Sequence, residues 1–364
     1  MLRAVNAEPG LHYFATAGSP SQLHSIDPKT GAIDTRSGFP IDLIGLTPVA
    51  ITSPDGRYAY ASGFYFEQSN LQRVDLQTGA VQQVASYPAA VTINLGAFTT
   101  DSTKYYSPND DGTISIIDVA TNTIHQTLDT GALSYNSAVS IADKIYASDI
   151  NSGQITVINP SDDTFSSFTP VCPSGGKAIS VVPDENDSNS IWVGCHNSNL
   201  LKIDKSSHSV LLSIATPNNI AGSSTVPGKD QIVVSSPTAP EVYIFDTNTG
   251  ALLRTITVPA ESFAPIVTSD GSRILLPTPG NSFSNNAAVI IDTSDYSITN
   301  LTLSGISLAM FTGPDTVAEA SVQFSVSGVL ADTGENRGQT LIAASAVIVL
   351  SAGILLALRR RLVN

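Results

Sequence analysis

Cysteine is scarce in this sequence of 364 residues: there are two, Cys172 and Cys195. Two thiols cannot build a multi-bridge scaffold or a closed all-cysteine zinc site. They suffice for one bridge where the compartment is oxidising. Charge is scarce too, at 13% of residues, and it leans acidic, with a formal net charge of −14. No run rich in Lys or Arg occurs except Arg359, Arg360 and Arg361 at the very end. That excludes nucleic acid as a partner, because phosphate binding needs basic residues gathered on one face.

Catalytic signatures are missing as well. There is no His-Glu-x-x-His, no Gly-x-Ser-x-Gly and no dinucleotide fingerprint. "GGKA" at Gly175 has Val171 where a P-loop needs its first Gly. Of five histidines, His24 occupies a strand slot filled elsewhere by Gln72, Ser115 and Thr156, and reads as surface filler. His208 is a turn residue, and His12, His125 and His196 belong to no motif. "DENDSNS" from Asp184 alternates oxygen donors as calcium loops do, yet lacks their Gly and distal Glu, and reads as a solvated turn. No catalytic residue, metal ligand or cofactor is expected, so an enzyme is the lesser expectation.

Gly and Pro, 26 and 21 of them, are plentiful, as are Ser, Thr, Asn and Asp. Such a chain spends its length on short strands and turns. Seven stretches repeat: "QLHSIDPKTGAI", "NLQRVDLQTGAV", "TISIIDVATNTI", "QITVINPSDDTF", "NLLKIDKSSHSV", "EVYIFDTNTGAL" and "AVIIDTSDYSI". Their pivots Asp27, Asp75, Asp118, Asn159, Asp204, Asp246 and Asp292 lie 48, 43, 41, 45, 42 and 46 residues apart. Residues one and four before each pivot are apolar, which predicts strands covered on both faces. Four residues after it come Gly31, Gly79, Asn122, Asp163, His208, Gly250 and Tyr296. Most of these tolerate the positive φ of a tight turn; Tyr296 fits it poorly. The pivot carboxylate is therefore a turn device.

A second series of turn aspartates interleaves: Asp55, Asp101, Asp143, Asp184, Asp230, Asp270 and Asp315. Asp315 has no pivot after it, and Asp27 has no such turn before it. The two orphans complete each other if the ends of the chain share one unit. The sequence predicts an all-β, seven-bladed β-propeller of four-stranded blades over 8–324, its ring closed by N- and C-terminal strands. At "YAYASG", "KYYSPN", "KIYASD" and "SIWVGC" it resembles the YVTN, or surface-layer-like, β-propeller family. Within that frame Cys172 and Cys195 fall at one end of one blade; a disulfide between them is expected outside the cell, with two buried thiols as the alternative. Two insertions place aromatics on loops, Phe64, Tyr65 and Phe66 in one and Phe283 in the other; they either fold back over the propeller rim or grip an extracellular protein or glycan.

One long apolar run is present. Thr340 to Leu358 are nineteen consecutive uncharged residues, enough for a transmembrane helix, and the basic tail 359–364 marks its cytoplasmic side. In the linker 325–339 just upstream stand Leu330, Ala331, Asp332, Thr333 and Gly334. The order of pentapeptide, apolar span and basic tail resembles a Gram-positive cell-wall sorting signal, in the Leu-Ala-x-Thr-Gly form of actinobacteria. The resemblance implies a class E-like sortase that cleaves after Thr333 and joins it to a peptidoglycan precursor, leaving the propeller on the cell wall. Residues 1–7 are expected to be the remnant of a signal peptide, with Val5-Asn6-Ala7 at its cleavage site. The processed body then keeps 12 of 17 Lys and Arg and 30 of 31 Asp and Glu, a net charge of −18. Binding or adhesion is the leading expectation; an exported enzyme resembling lactonases or lyases, or a structural wall-layer component, are the alternatives.

Overall fold

Alternation of apolar and small polar residues between tight turns folds each repeat into a four-stranded antiparallel sheet, and seven such sheets are present. The structure, a computed structural model, describes residues 11–45, 49–63, 70–86, 95–280, 284–307 and 310–311. Blades 2 to 7 occupy 49–86, 97–129, 135–168, 178–215, 222–257 and 266–302, each with its strands in chain order. Blade 1 differs: His12–Thr16, Ser21–Ile26 and Ile41–Leu43 are joined by Met310–Phe311 as the remaining edge strand. Tyr13 pairs with Phe311 and Phe14 with Met310, and Ala17 bridges Ile306. The ring thus closes with strands from both parts of the chain, as the orphan turns predicted.

The third strand of each blade ends on the pivot, or in blade 1 one residue before it, and the turn that follows has one design. Residues Gly31, Gly79, Asn122, Asp163, His208, Gly250 and Tyr296 all hold φ between 56° and 74°. Each donates its N–H to the pivot carbonyl four residues back, at 2.7–2.9 Å. In six of the seven the pivot is Asp, and its carboxylate caps the turn: Asp204 Oδ1, for instance, accepts from the N–H groups of Ser206 and Ser207 at 3.0 and 2.7 Å. Tyr296 adopts the same left-handed φ as the glycines. Its side chain explains why a bulky residue is kept there.

Every one of these turns leans on the preceding blade. Tyr296 donates its hydroxyl to Gln231 at 3.1 Å and lies under the Arg254 guanidinium, 4.4 Å from its centroid, both in blade 6. His208 stacks on Phe168 of blade 4, centroids 3.9 Å apart. Asp163 takes the Lys104 ammonium of blade 3 at 2.7 Å and a hydrogen bond from the Tyr106 hydroxyl. Asn122 accepts from the Tyr60 hydroxyl of blade 2 at 3.1 Å. Where the residue is Gly, apolar side chains of the preceding blade fill the space. A Cβ on Gly250 would come within 3.1 Å of Ile214 of blade 5, and one on Gly31 within 3.1 Å of Leu301 of blade 7.

The second strand supplies the other half of this contact. Tyr13, Tyr60, Tyr106, Tyr146 and Trp192 each pair with the residue two before the pivot, and all are at most 5% exposed. In blade 2 the residues on either side of Tyr60 are small, Ala59 and Ala61, both fully buried. Tyr60 packs against Phe98 and Tyr105 of blade 3, ring centroids 5.2 and 4.6 Å away. Burial pushes the Tyr106 phenol well up, and its bond to Asp163 pushes it further, so it stays a neutral donor.

Two outcomes follow from these turns. Asp163→Gly keeps the left-handed turn but strips Tyr106 of its acceptor and leaves Lys104 only the Pro160 carbonyl, so it should cost about 2 kcal/mol in urea unfolding, the scale of an orphaned buried polar group; no change would sink the docking role. Acid should also destabilise the ring. Hydrogen bonds from Ser206 and Ser207 hold Asp204 well below the usual carboxylate range, and those from Thr249 and Ser294 lower Asp246 and Asp292. A lowered folded-state pKa stabilises above the unfolded value of about 4 and is lost as pH falls through the folded one. The melting temperature should therefore hold steady from pH 7 to 5 and drop below pH 4, less steeply in the Asp204→Asn, Asp246→Asn double variant.

Candidate functional site

Strand register sorts the connections onto two rims. In blade 2, Thr52 pairs with Ala59 and Tyr58 with Asp75, so the turn after the innermost strand and the pivot turn share one rim. Gly63 pairs with Asn70, so the loop between the second and third strands leaves from the other rim, together with the connections between blades.

On the turn rim, the carboxylates of Asp55, Asp101 and Asp270 are held by their own turns. The Ser53, Thr99 and Thr268 hydroxyls each donate to an Asp two residues on, Asp55, Asp101 and Asp270, at 2.5–2.6 Å. Each hydroxyl also accepts the N–H five residues on, at 3.0 Å. Burial alone would raise Asp270, but the Thr268 and Ser272 hydroxyls outweigh it and bring the carboxyl down to about 2. These acids are turn fasteners.

The centre of the ring is uncharged. The innermost strands read VAIT, AF, YNSAVSI, AISVVP, GSSTV, IV and MF, with no Asp, Glu, His, Lys or Arg among them. Acid–base chemistry in the channel would need such groups converging there. Small hydroxyl residues stand in their place.

The loop rim is different. Ile44, Leu133 and Val171, exposed by 49%, 63% and 83%, all lie on connections between blades. Val171 adjoins Cys172, whose disulfide to Cys195 ties the connection entering blade 5 to the end of that blade's second strand. The N–H of His196 bonds to the Lys177 carbonyl at 2.8 Å beside it, and a Cβ on Gly176 would meet the His196 carbonyl at 2.3 Å. The connection is thus clamped flat on the rim while Val171 projects. Sequence reasoning missed these three residues because they lie between the repeats, where no periodicity flags them.

Phe64, Tyr65, Phe66 and Phe283 lie outside the described residues, though the strands that flank them end on this rim. Leu330, Ala331, Asp332, Thr333 and Gly334, and the span 340–358, also lie outside them. Among the described residues no helix is long and apolar enough to cross a membrane.

Two readings of single residues need correction. The slot of His24, Gln72, Ser115 and Thr156 is a buried one, none of them more than 3% exposed, because the third strand is covered by blades on both sides. His24 is therefore no surface filler. Nor is Asp184 a solvated turn residue. It is 4% exposed and binds the Lys202 ammonium at 2.9 Å, with Trp192 Nε1 and Ser190 Oγ each donating to it at 3.1 Å. Lys202 also reaches Asp187 at 3.4 Å, so a lysine supplies the cation between these carboxylates. His125 and His196 are exposed.

No family model matches the chain, and no curated protein is similar to it in sequence. Among solved structures it is similar to a chain of a mitotic checkpoint complex, with a TM-score of 0.62 over 76% of this chain and 86% of that one, at 12% identity. At that identity the likeness establishes the seven-bladed fold alone.

The Cys172–Cys195 bridge closes a short loop, with 23 residues of sequence separation. In the chain-entropy account, opening it should cost about 3 kcal/mol. The Cys172→Ser, Cys195→Ser double variant should show that loss in denaturant unfolding, and the wild type should show it on reduction. Equal stability of the oxidised and reduced forms would contradict it.

Proposed function

We propose that this chain is a wall-anchored, surface-displayed recognition module that grips an extracellular protein or glycan with the loop rim of its propeller. The observation that carries the reading is the division of the surface. The channel strands carry no charged residue and Asp55, Asp101 and Asp270 of the turn rim are used internally, while the loop rim presents Ile44, Leu133 and Val171 to solvent. Projecting apolar side chains on a rigid rim are the usual anchors of an interface. The insertions with Phe64, Tyr65, Phe66 and Phe283 spring from this rim and would add aromatic anchors.

Surface display rests on the sequence. Leu330 to Gly334, the apolar span 340–358 and the arginines behind it resemble a sorting signal, and the motifs of the second strands resemble the YVTN propellers. In this reading a sortase cleaves after Thr333 and passes it to a peptidoglycan precursor, while 340–358 holds the precursor in the membrane until then. A disulfide in the described structure suits an oxidising exterior.

One preparation tests both halves. Protein released from walls by a peptidoglycan hydrolase should end at Thr333 plus a wall fragment by intact mass. A chain continuing past Gly334 overturns the attachment. The same protein should bind members of a panel of glycans and extracellular proteins. Ile44→Asp, Leu133→Asp and Val171→Asp together should abolish binding, whereas Val210→Asp with Leu252→Asp, on exposed outer strands, should not. Absence of binding, or loss only in the outer-strand variant, overturns the rim assignment.

A further inference from the structure

The repeat is broken in blade 1. Its outer strand touches the third strand at Ile33, opposite Ile26, and then leaves it, to return only at Ile41–Leu43. The excursion begins with Asp34, held at φ 55°, a left-handed conformation that ordinary residues avoid and Asp tolerates. That turn aims the Asp34 carboxylate into the blade. Its Oδ2 lies 2.7 Å from His24 Nδ1, and its Oδ1 accepts the Ser25 N–H at 3.0 Å.

The other ring nitrogen faces hydroxyls. His24 Nε2 lies 2.9 Å from Ser304 Oγ and 3.0 Å from Thr16 Oγ1, and those two oxygens are 3.4 Å apart. A carboxylate can only accept, so Nδ1 is the nitrogen that donates to Asp34, which in a neutral imidazole leaves Nε2 as the acceptor. The ring is fixed in place by Phe14, stacked at 5.1 Å, and is 3% exposed. Thr16 is buried, but Ser304 is exposed. Ser304 arrives from the connection between blades 7 and 1, on the loop rim. Its neighbour Gly305 is pressed to the chain: an added Cβ would stand 2.3 Å from the Ala17 carbonyl oxygen. The corner that presents the hydroxyl is therefore rigid.

A solvent-facing hydroxyl, a buried imidazole and an orienting carboxylate, each in hydrogen-bond reach of the next, form the arrangement that activates a nucleophile. We propose that Ser304 is a reactive nucleophile toward ester carbonyls, with His24 as its general base and Asp34 as the positioning residue. Ser304 Oγ bonds to the ester carbon as its proton passes to His24 Nε2. The bond from that carbon to the alcohol oxygen breaks, and the same proton leaves on the alcohol. Water then repeats the sequence on the acyl–serine, returning the acid and free Ser304. The substrate class is an ester whose carbonyl can approach an open rim. Neither wall attachment nor a rim-bound partner is needed for this chemistry.

The test uses a fluorophosphonate, which bonds to a serine Oγ as fluoride leaves, followed by peptide mapping, and para-nitrophenyl acetate for turnover. Ser304 should be labelled faster than every other serine of the folded protein. Ser304→Ala should abolish that label and the turnover of the acetate. His24→Gln and Asp34→Asn should slow labelling on the order of 10²-fold or more. Asp34→Glu should recover part of the rate, which a purely structural role would not require. Melting curves verify the fold of each variant; should His24→Gln fail to fold, the Asp34 pair and Ser304→Ala still decide. Labelling of Ser304 no faster than of other serines, or unchanged in folded Asp34→Asn, overturns the proposal.

Discussion

The contact on which the ring depends is the one between a left-handed turn and the blade before it. Seven times, the residue four beyond the pivot closes a hairpin with its backbone and meets the preceding sheet with whatever side chain it has. The backbone task is constant and tolerates few residue types. The side-chain task varies, so the position holds Gly where Leu301 or Ile214 fills the gap, Asp where Lys104 waits, and Tyr where Gln231 and Arg254 do. A propeller blade cannot bury its faces alone. A turn that fixes both the hairpin and the spacing to its neighbour therefore sets local and global geometry together.

This double use explains what could and could not be read from the sequence. The pivots, their spacing and the closing of blade 1 were legible, because they follow from turn chemistry and from counting. Tyr296 looked like a misfit because a turn was all the sequence could show; its partners Gln231 and Arg254 belong to another repeat. The burial of His24 and Asp184 escapes the sequence for a related reason. A polar residue in a strand or hairpin reads as exposed unless its partners are known. Those partners, Asp34 and Ser304 for the one, Lys202 and Trp192 for the other, come from segments that no local pattern links. The exposed apolar residues of the loop rim were invisible for the opposite reason, since they sit where the repeat has nothing to say.

The two rims divide labour in chemical terms. On one, acids are tied up by hydroxyls and amides, which keeps a strongly acidic chain compatible with a compact ring. On the other, connections are clamped at a few points, by the disulfide, by Gly176 under His196 and by Gly305 against Ala17, and project side chains between the clamps. Rigid fixation close to projecting groups is what both recognition and a poised nucleophile require. The departure of blade 1 from its repeat is where that fixation reaches furthest inward.

The closing strand Met310–Phe311 has a mechanical meaning. Its strand pairing to the ring consists of two residue pairs, Tyr13 with Phe311 and Phe14 with Met310. A pull on the chain beyond it would load those pairs first. With a tether on that side, tension would meet its first resistance at the seam between blades 7 and 1. Asp34, His24 and Ser304 lie at that same seam, so a load large enough to open it would also part Ser304 from His24.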